Sequence, residues 1–236
     1  MKRKNSQLET IQNSEIEEIL FGGIDLSRIE EIHKNSTQKR LKKNQIIFLE
    51  GTRPLGVYSI TSGRIKIYKT GVEGKDQIIQ ILKSGDLMGY RAMLSEEQYP
   101  VSAETLEDTA LCFIPKKDFI GAMSSNADLT KEVIKSLSKD LTNMADSITV
   151  LAQKPVRERL AGALMVLIDT YDIDESKGVS NGINLTREDL ANMVGTATET
   201  LIRLLHDFKD EQLIETQGRK ILIKNKEKLK KVANLI

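Results

Sequence analysis

Apolar and polar residues alternate with helical spacing near the C-terminus. The residues from Thr186 to His206 follow the pattern of two short amphipathic helices that meet at Gly195. The second helix carries one apolar stripe at positions three or four residues apart, formed by Leu201, Leu204, Leu205 and Phe208. Polar side chains project from roughly the opposite side, at Glu199, Arg203 and His206. Two such helices joined by a tight turn predict a helix-turn-helix.

Two short β-rich runs follow this pair of helices. They cover 213–216 and 221–223 and lie on either side of a Gln-Gly-Arg-Lys turn at 217–220, which predicts a hairpin. A helix-turn-helix followed by a hairpin is a winged helix, and its second helix is the one that enters the DNA major groove.

The N-terminal half is built from short β-rich runs that glycines separate every 11 or 12 residues. The glycines are Gly51, Gly63, Gly74 and Gly85, and the runs cover 45–49, 57–60, 65–68 and 77–82. This regular spacing of short strands and turns predicts an antiparallel sandwich or barrel. Strand character resumes from Ala103 to Ile114 and ends at Pro115, whereas the chain before Lys39 looks helical and polar.

A long apolar seam follows the β-rich half. Its intervals alternate strictly between three and four residues, over Ile134, Leu137, Leu141, Met144, Ile148 and Leu151. Such a seam, about two and a half heptads long, predicts a coiled-coil contact with the same helix of a second copy, and hence a homodimer. The alternative is an amphipathic helix that packs on its own domain. Pro155 disfavours helical geometry at Lys154 and therefore marks a hinge.

Composition adds few constraints. The 236 residues are 39% hydrophobic, enough for two domains with real cores, and 35 basic residues balance 34 acidic ones. There is no run of about 18 apolar residues, and the start, from Met1 to Asn5, leads into a polar stretch. We therefore expect a soluble, cytoplasmic protein with no membrane partner. The one cysteine, Cys112, is expected to be a buried strand thiol.

Local charge favours a nucleic-acid partner. From Gln217 onward there are seven basic residues and one acidic residue. Such a tail is often only a solvated terminal helix, but beside a helix-turn-helix it is placed to meet phosphates. Phosphate contacts are therefore expected from the side chains of Thr186, Arg187, His206, Arg219 and Lys220.

Glu199 and Arg203 carry the chemistry of base reading. They lie four residues apart on one helix face, where a carboxylate can accept from cytosine N4 and a guanidinium can fork onto guanine O6 and N7. Two alternatives stay open at this point. Thr196 and Glu199 also fit a capping box, and Glu199 and Arg203 also fit an ordinary exposed ion pair.

The order of these parts resembles the cyclic AMP receptor protein and FNR family of bacterial transcription regulators. The resemblance covers nearly the whole chain and is carried by Gly51, Gly63, residues 85–89, 106–108 before the strand ending at Pro115, and residues 186–203. It implies an α+β fold with an N-terminal cyclic-nucleotide-binding-like antiparallel β-barrel (jelly roll). The expected domains are this sensor with N-terminal helices over 1–126, a dimerisation helix over 127–153 and a winged helix-turn-helix over 154–236. In the family three helix positions contact bases, and here they hold Thr198, Glu199 and Arg203.

The predicted sensor domain departs from the family pattern at its ligand-binding positions. Cyclic-nucleotide binders of this family follow the second glycine with a ribose-binding glutamate, and later carry an arginine and a Ser or Thr for the cyclic phosphate. Here Tyr90 follows Gly89, and the later segment runs from Tyr99 to Ser102 without arginine. Arg64 or Arg91 would have to substitute from another direction, and a buried phosphate without a cationic partner is costly. The expected effector pocket comprises Arg64, Gly89, Tyr90, Arg91, Tyr99 and Ser102, its ligand is unknown, and cyclic AMP is not expected.

Other cofactors of the family are not expected either. A four-thiolate iron–sulfur cluster needs more cysteines than Cys112 alone. Haem needs an axial ligand such as His, Cys or Met, and ordinary structural roles are expected for His33, His206 and Cys112.

The leading hypothesis is a homodimeric regulator that binds a palindromic site in double-stranded DNA, with RNA polymerase and a small-molecule effector as further partners. A second hypothesis is a ligand-sensing module that regulates a partner protein without a DNA role. An enzyme is not expected, because no Cys/His dyad, metal cluster or phosphate loop is recognisable.

Overall fold

The computed structural model describes residues 20–21, 24–26, 29–171, 173 and 182–235. The polar start of the chain, where the sequence predicts no signal peptide, lies outside the described residues, as does the side chain of His33. Within the part that is described, no helix has the length and apolar character needed to cross a membrane.

Two four-stranded antiparallel sheets form the N-terminal domain. One has the order β3-β10-β5-β8, with β3 at Thr37–Leu41, β10 at Thr109–Pro115, β5 at Gly56–Ser62 and β8 at Leu87–Met88. The other has the order β4-β9-β6-β7, with β4 at Ile46–Phe48, β9 at Ser102–Thr105, β6 at Ile65–Thr70 and β7 at Asp76–Leu82. Buried side chains such as Phe48, Ile60 and Leu111 pack in one cluster. The predicted antiparallel β architecture is confirmed, as two sheets rather than a closed barrel.

Short elements surround these sheets. They are β1 (Leu20–Phe21), β2 (Ile24–Asp25), α1 (Glu30–Asn35), α2 (Tyr90–Ser95) and α3 (Lys116–Ser125). Among the described residues before Lys39, the helical interpretation is right for α1 and wrong for β1, β2 and the start of β3. From Thr37 the chain is an edge strand paired with β10 alone. Its side chains are almost all exposed, so it lacks the apolar alternation by which strands are recognised.

The four evenly spaced glycines lie where the chain turns. Gly51, Gly63, Gly74 and Gly85 all have φ between 76° and 89°, a left-handed conformation that side chains with a Cβ rarely adopt. The regular spacing of these glycines therefore reflects the similar lengths of the strands that lie between the turns.

The long helix α4 covers Ala127–Gln153. The side chain of Asn126 caps it by accepting from the Leu129 amide. Its first turns bury Leu129 and Val133 against the N-terminal domain. Farther along the helix, the residues of the apolar seam are exposed to solvent, and Leu141 is 70% exposed. The helix ends at Gln153, and Lys154 is extended before Pro155.

The C-terminal domain follows Pro155. Its elements are α5 (Val156–Thr170), β11 (Ile183–Asn184), α6 (Arg187–Val194), α7 (Thr198–Asp210), β12 (Ile214–Gln217), β13 (Lys220–Ile223) and α8 (Lys226–Val232). The three strands form an antiparallel sheet with the order β11-β13-β12. The predicted helix-turn-helix and hairpin are confirmed. Sequence reasoning missed β11, because a strand of two residues has no period to detect.

Phe208 lies at the centre of the C-terminal core. It is fully buried with Leu201 and Leu205, and the Arg157 guanidinium lies 4.8 Å from its ring centroid. We expect Phe208→Ala to lower the free energy of unfolding by about 3–5 kcal/mol, because it leaves a cavity and removes apolar contacts.

Thermal and urea denaturation followed by circular dichroism measure this effect. The matched control is Val166→Ala, which truncates an exposed side chain of α5. Equal stability of the two variants would show that Phe208 does not support the domain.

Candidate DNA-binding surface and effector cavity

The first helix of the helix-turn-helix, α6, has well-formed ends. Thr186 caps it, since its hydroxyl accepts from the Asp189 amide at 2.9 Å and donates to the Asp189 carboxylate at 2.6 Å. Gly195 ends it with φ of 71°, and its amide donates to the Ala191 carbonyl. Both ends are therefore fixed, and α6 forms a rigid platform for the second helix.

The second helix, α7, begins at Thr198 with Ala197 as N-cap and no side-chain cap. The capping-box interpretation of Thr196 and Glu199 is therefore wrong, because Thr196 lies one residue before the N-cap position. Its carbonyl instead accepts from the Lys75 ammonium at 2.9 Å.

One face of α7 is turned to solvent. Glu199, Ile202, Arg203 and His206 are exposed there, and Thr198 is partly exposed. Among the described residues, neither Glu199 nor Arg203 has a hydrogen-bond or ion-pair partner, so the alternative of an intrahelical ion pair is also wrong. Both side chains keep their bonding capacity for an incoming molecule.

The turn between β12 and β13 is the wing. The Arg187 guanidinium donates to the carbonyls of Gly218 and Arg219, both at 3.1 Å, and burial lowers the pKa of this arginine. Arg219 and Lys220 remain exposed at the tip. Of the five predicted phosphate contacts, Thr186 and Arg187 thus have partners inside the domain, whereas His206, Arg219 and Lys220 face solvent.

A junction joins the sheet of the N-terminal domain to the helix-turn-helix. The Lys66 ammonium from β6 lies 2.9 Å from Asp189 of α6 and 3.6 Å from Glu104. The side chains of Lys66 and Asp189 are only 11% and 13% exposed. Tyr68, Ile78 and other buried residues of the sheet share one apolar cluster with the C-terminal domain. Sequence reasoning missed this junction, since its partners lie far apart along the chain.

Further side chains fix the turn of the helix-turn-helix. Gln77 of β7 donates to the Met193 carbonyl at 3.4 Å. Arg159 of α5 donates to two carbonyls at 3.1 Å, that of Leu151 at the end of α4 and that of Gly195. The helix-turn-helix is therefore bonded to the sensor sheet directly through Gln77, and to the end of α4 indirectly through Arg159.

Arg64, predicted to line the effector pocket, also lies at the domain junction. Its guanidinium is 2.8 Å from Glu107, donates to the Thr170 carbonyl at 3.1 Å and stacks 4.1 Å from the centroid of Tyr171. Ser102 is buried, and its hydroxyl accepts from the Glu50 amide. Neither residue is among those that line the cavity described next.

A cavity of about 100 Å³ lies between the two sheets, α2 and α4. Four of the predicted pocket residues line it, namely Gly89, Tyr90, Arg91 and Tyr99. The ring of Tyr99 stacks on Phe48 with 3.9 Å between centroids. The carboxylates of Asp86 and Asp140 also line the cavity.

Tyr90 connects this cavity to the long helix. Its hydroxyl donates to Asp140 at 2.7 Å and lies 3.0 Å from the hydroxyl of Ser136, both on α4. Burial raises the pKa of Tyr90 to about 12, so the hydroxyl stays a donor at neutral pH. Arg91 lies 3.8 Å from the same aspartate. A molecule that displaced Tyr90 would therefore act directly on α4.

The sequence matches two protein families. Residues 38–126 match the Cyclic nucleotide-binding domain, and residues 158–232 match the Crp-like helix-turn-helix domain. The chain is 30% identical over 196 residues to the Fumarate and nitrate reduction regulatory protein of Yersinia pestis, covering 83% of this chain and 78% of that protein. It is 31% identical over 192 residues to the Anaerobic regulatory protein of Bacillus subtilis, covering 80% and 81%. The chain belongs to the Crp/Fnr family of transcription regulators.

Solved structures agree with the Crp/Fnr fold. FixK2 from Bradyrhizobium japonicum superposes with a TM-score of 0.73 at 21% identity, covering 84% of this chain and 96% of that one. The protein is thus a Crp/Fnr-type DNA-binding transcription regulator with a sensing domain of the cyclic-nucleotide-binding type, and its relatives are regulators rather than enzymes.

Two features of the described part of this Crp/Fnr regulator concern metal-ligating side chains, namely how they are grouped and where its cysteine lies. No group of three or more His, Cys, Asp or Glu side chains is placed there to hold a metal ion. Cys112 lies fully buried in β10, as predicted, and burial raises the pKa of its thiol.

The Lys66–Asp189 pair should stabilise the junction between the domains. We expect Lys66→Met to lower the free energy of unfolding by about 3 kcal/mol, because Asp189 and Glu104 would lose their cationic partner. This value is the lower end of the range for removing one partner of a buried ion pair. Thermal unfolding and limited proteolysis near Pro155 measure the loss.

Lys69→Met is the matched control. Lys69 lies on the same strand, but its ion pair with Glu50 is about half exposed, so its loss should cost at most about 1 kcal/mol. If the two variants unfolded and were cleaved alike, the junction would not depend on the buried pair.

Proposed function

We propose that this regulator is a homodimer that reads a palindromic DNA site with α7. The observation that carries the proposal is the exposure of Glu199 and Arg203 on the second helix of a helix-turn-helix, where neither side chain bonds to another described residue. A charged pair left without intramolecular bonds is available to the base edges of the major groove. RNA polymerase is a further proposed partner.

The residues of this surface would have two different roles, base contact and phosphate contact. Thr198, Glu199 and Arg203 would contact bases, whereas His206, Arg219 and Lys220 would contact phosphates and set the position of the protein on DNA. Thr186 and Arg187, which have partners inside the domain, would assist by holding α6 and the wing in place.

Replacement of single basic residues separates base reading from phosphate binding. We expect Arg203→Ala to cost about 1–3 kcal/mol of binding and to relax preference at one G·C pair. Lys220→Ala should weaken binding to all sequences alike, because a phosphate contact carries no sequence information. Fluorescence anisotropy on a site selected from random DNA, and on single-base variants of it, measures both effects.

Lys117→Ala is the control, since Lys117 is an exposed lysine of α3 in the sensor domain. Unchanged binding of Arg203→Ala to the selected site would refute the base-reading assignment. A wild-type protein that bound all DNA alike at physiological salt would instead support a regulator that acts on a partner protein.

We propose that the seam of α4 is the dimer contact. Ile134, Leu141, Met144, Ile148 and Leu151 are exposed large apolar side chains in a regular row, and Leu137 packs partly on its own domain. Burial of such a row against its own copy is the usual way to stabilise a two-stranded coiled coil. The same helix would mark the domain limits, with the sensor over 1–126, the dimerisation helix over 127–153 and the DNA-binding domain over 154–236.

A charge placed in the seam should dissociate the dimer. We expect Leu141→Glu to convert the protein to a monomer and to weaken binding to a palindromic site, because two carboxylates would face each other in an apolar contact. Light scattering coupled to size exclusion measures the mass. Asn143→Glu, an exposed position of the same helix outside the seam, should remain dimeric, and a dimeric Leu141→Glu would contradict the assignment.

We propose that the sensor does not bind cyclic AMP. Arg64 is engaged at the domain junction, Arg91 lies beside Asp140, and a second carboxylate, Asp86, also lines the cavity. Among the described residues that line the cavity, a cyclic phosphate would meet no cation that is free of a carboxylate. The effector would be another small molecule, or there would be none, and saturable binding of cyclic AMP in a calorimetric titration would contradict the proposal.

Iron–sulfur and haem chemistry are not part of the proposed function. The sequence contains one cysteine, so it does not supply the four thiolates of an FNR-type cluster. The expectation of no haem is supported by the positions of Cys112, buried in β10, and of His206, on the exposed face of α7, neither of which lines the sensor cavity.

The proposed signal is a change in dimer geometry. A ligand near Tyr90 would disturb its bond to Asp140, move α4 and alter the angle at Lys154 and Pro155. The junction formed by Lys66 and Asp189 offers a second path to α6. Equal DNA affinity with and without every ligand that binds the sensor would exclude this coupling.

A further inference from the structure

The turn between β6 and β7 of the sensor domain reaches the helix-turn-helix. It covers residues 71–75, all of which are exposed. Backbone bonds close it, from the Gly71 amide to the Lys75 carbonyl at 2.8 Å and from the Gly74 amide to the Gly71 carbonyl at 2.9 Å. The Lys75 ammonium donates to the Thr196 carbonyl at 2.9 Å. A basic side chain of the sensor domain is therefore held against the turn that precedes α7.

The position of Thr196 places this ammonium beside the proposed DNA-binding surface. Thr196 lies two residues before Thr198, the first residue of α7 and a proposed base contact, so the chain between them spans at most about 7 Å. The major groove that α7 would enter is about 12 Å wide, and phosphates line both of its edges. The Lys75 ammonium is therefore within reach of a phosphate when Thr198 contacts a base.

The bonding of Lys75 leaves it able to bind an anion. An ammonium group has three N–H donors, and the Thr196 carbonyl occupies one of them. Lys66 and Lys69 of the same hairpin each pair with a carboxylate, whereas Lys75 forms no ion pair with any described residue. Glu73 in the same turn is exposed and has no bonding partner among the described residues, so its side chain is free to turn away from DNA.

The docking of the two domains fixes where this lysine lies. Lys66 on β6 forms the buried ion pair with Asp189 of α6, and Gln77 on β7 donates to the Met193 carbonyl. Both strands of the hairpin are thus bonded to the helix-turn-helix, on either side of Lys75. Separation of the domains would withdraw the ammonium from the turn before α7.

We propose that Lys75 contacts a DNA phosphate at the edge of the half-site, so that the sensor domain itself takes part in DNA binding. The inference rests on the proposed DNA-binding function and deepens it. The contact adds affinity for every sequence, because phosphates carry no sequence information. Since it exists only while the domains are docked, DNA binding and domain docking stabilise each other.

Two replacements of Lys75 separate its charge from its hydrogen bond. Lys75→Gln keeps an N–H donor for the Thr196 carbonyl and removes the charge, whereas Lys75→Arg keeps both. We expect Lys75→Gln to reduce the slope of log affinity against log salt concentration by about 1.8, which is about 0.9 for one phosphate in each protomer of the proposed dimer. Lys75→Arg should keep the wild-type slope. Anisotropy titrations between about 50 and 200 mM salt measure it, on the selected site and on a scrambled duplex.

Lys69→Gln is the matched control. It changes the net charge by the same amount and lies on the same hairpin, but the Lys69 ammonium is held by Glu50 and by the Pro100 carbonyl. We expect it to keep the wild-type slope. Melting temperatures of the three variants confirm that each is folded.

The possible outcomes are distinct. A wild-type slope in Lys75→Gln overturns the proposal, even if binding is weaker, because the lysine then only holds the turn in place. An equal fall in Lys69→Gln also overturns it, because net charge rather than a contact would then be responsible. Failure of the wild-type protein to bind any DNA in a salt-dependent way would show instead that the proposed function itself is wrong.

Discussion

The buried ion pair between Lys66 and Asp189 fixes how the DNA-binding domain sits on the sensor. Both side chains are largely withdrawn from water, and the Lys66 ammonium lies beside two carboxylates, Asp189 at 2.9 Å and Glu104 at 3.6 Å. The pair tolerates little displacement, because separation would leave the buried Asp189 carboxylate without its cation. The apolar side chains of Tyr68 and Ile78 pack into the same junction, so ionic and apolar contacts together specify one arrangement of the domains.

Asp189 also links this junction to α7, the proposed base-reading helix. Its amide and carboxylate complete the cap with Thr186 at the start of α6, and α6 packs against α7. The orientation of Glu199 and Arg203 therefore depends on a strand of the sensor sheet through these two helices. A signal that loosened the sheet would therefore reach the proposed base-reading face without passing through α4.

Much of the fold could be predicted from the sequence because its signals are local. The apolar stripe through Leu201 and Phe208 predicts α7, and glycines such as Gly63 mark turns that require left-handed backbone. The pattern at Thr196 fits a capping box, yet Ala197 takes the N-cap position, which backbone geometry alone determines.

The candidate site could be predicted only where it depends on one helix. The exposure of Glu199 and Arg203 follows from the same stripe that buries the opposite side of α7. The roles of Arg64 at the junction and of Arg187 at the wing depend instead on partners distant in sequence, which no local pattern reveals.

Arg159 connects the last turn of α4 to the turn of the helix-turn-helix through the carbonyls of Leu151 and Gly195. In the proposed dimer α4 lies next to the two-fold axis, while Gly195 lies at the base of the recognition helix. Two recognition helices must stand about 34–36 Å apart to enter successive major grooves. In that dimer, the spacing of the half-sites would therefore depend on Arg159 together with the contacts that hold the C-terminal domain on the sensor sheet.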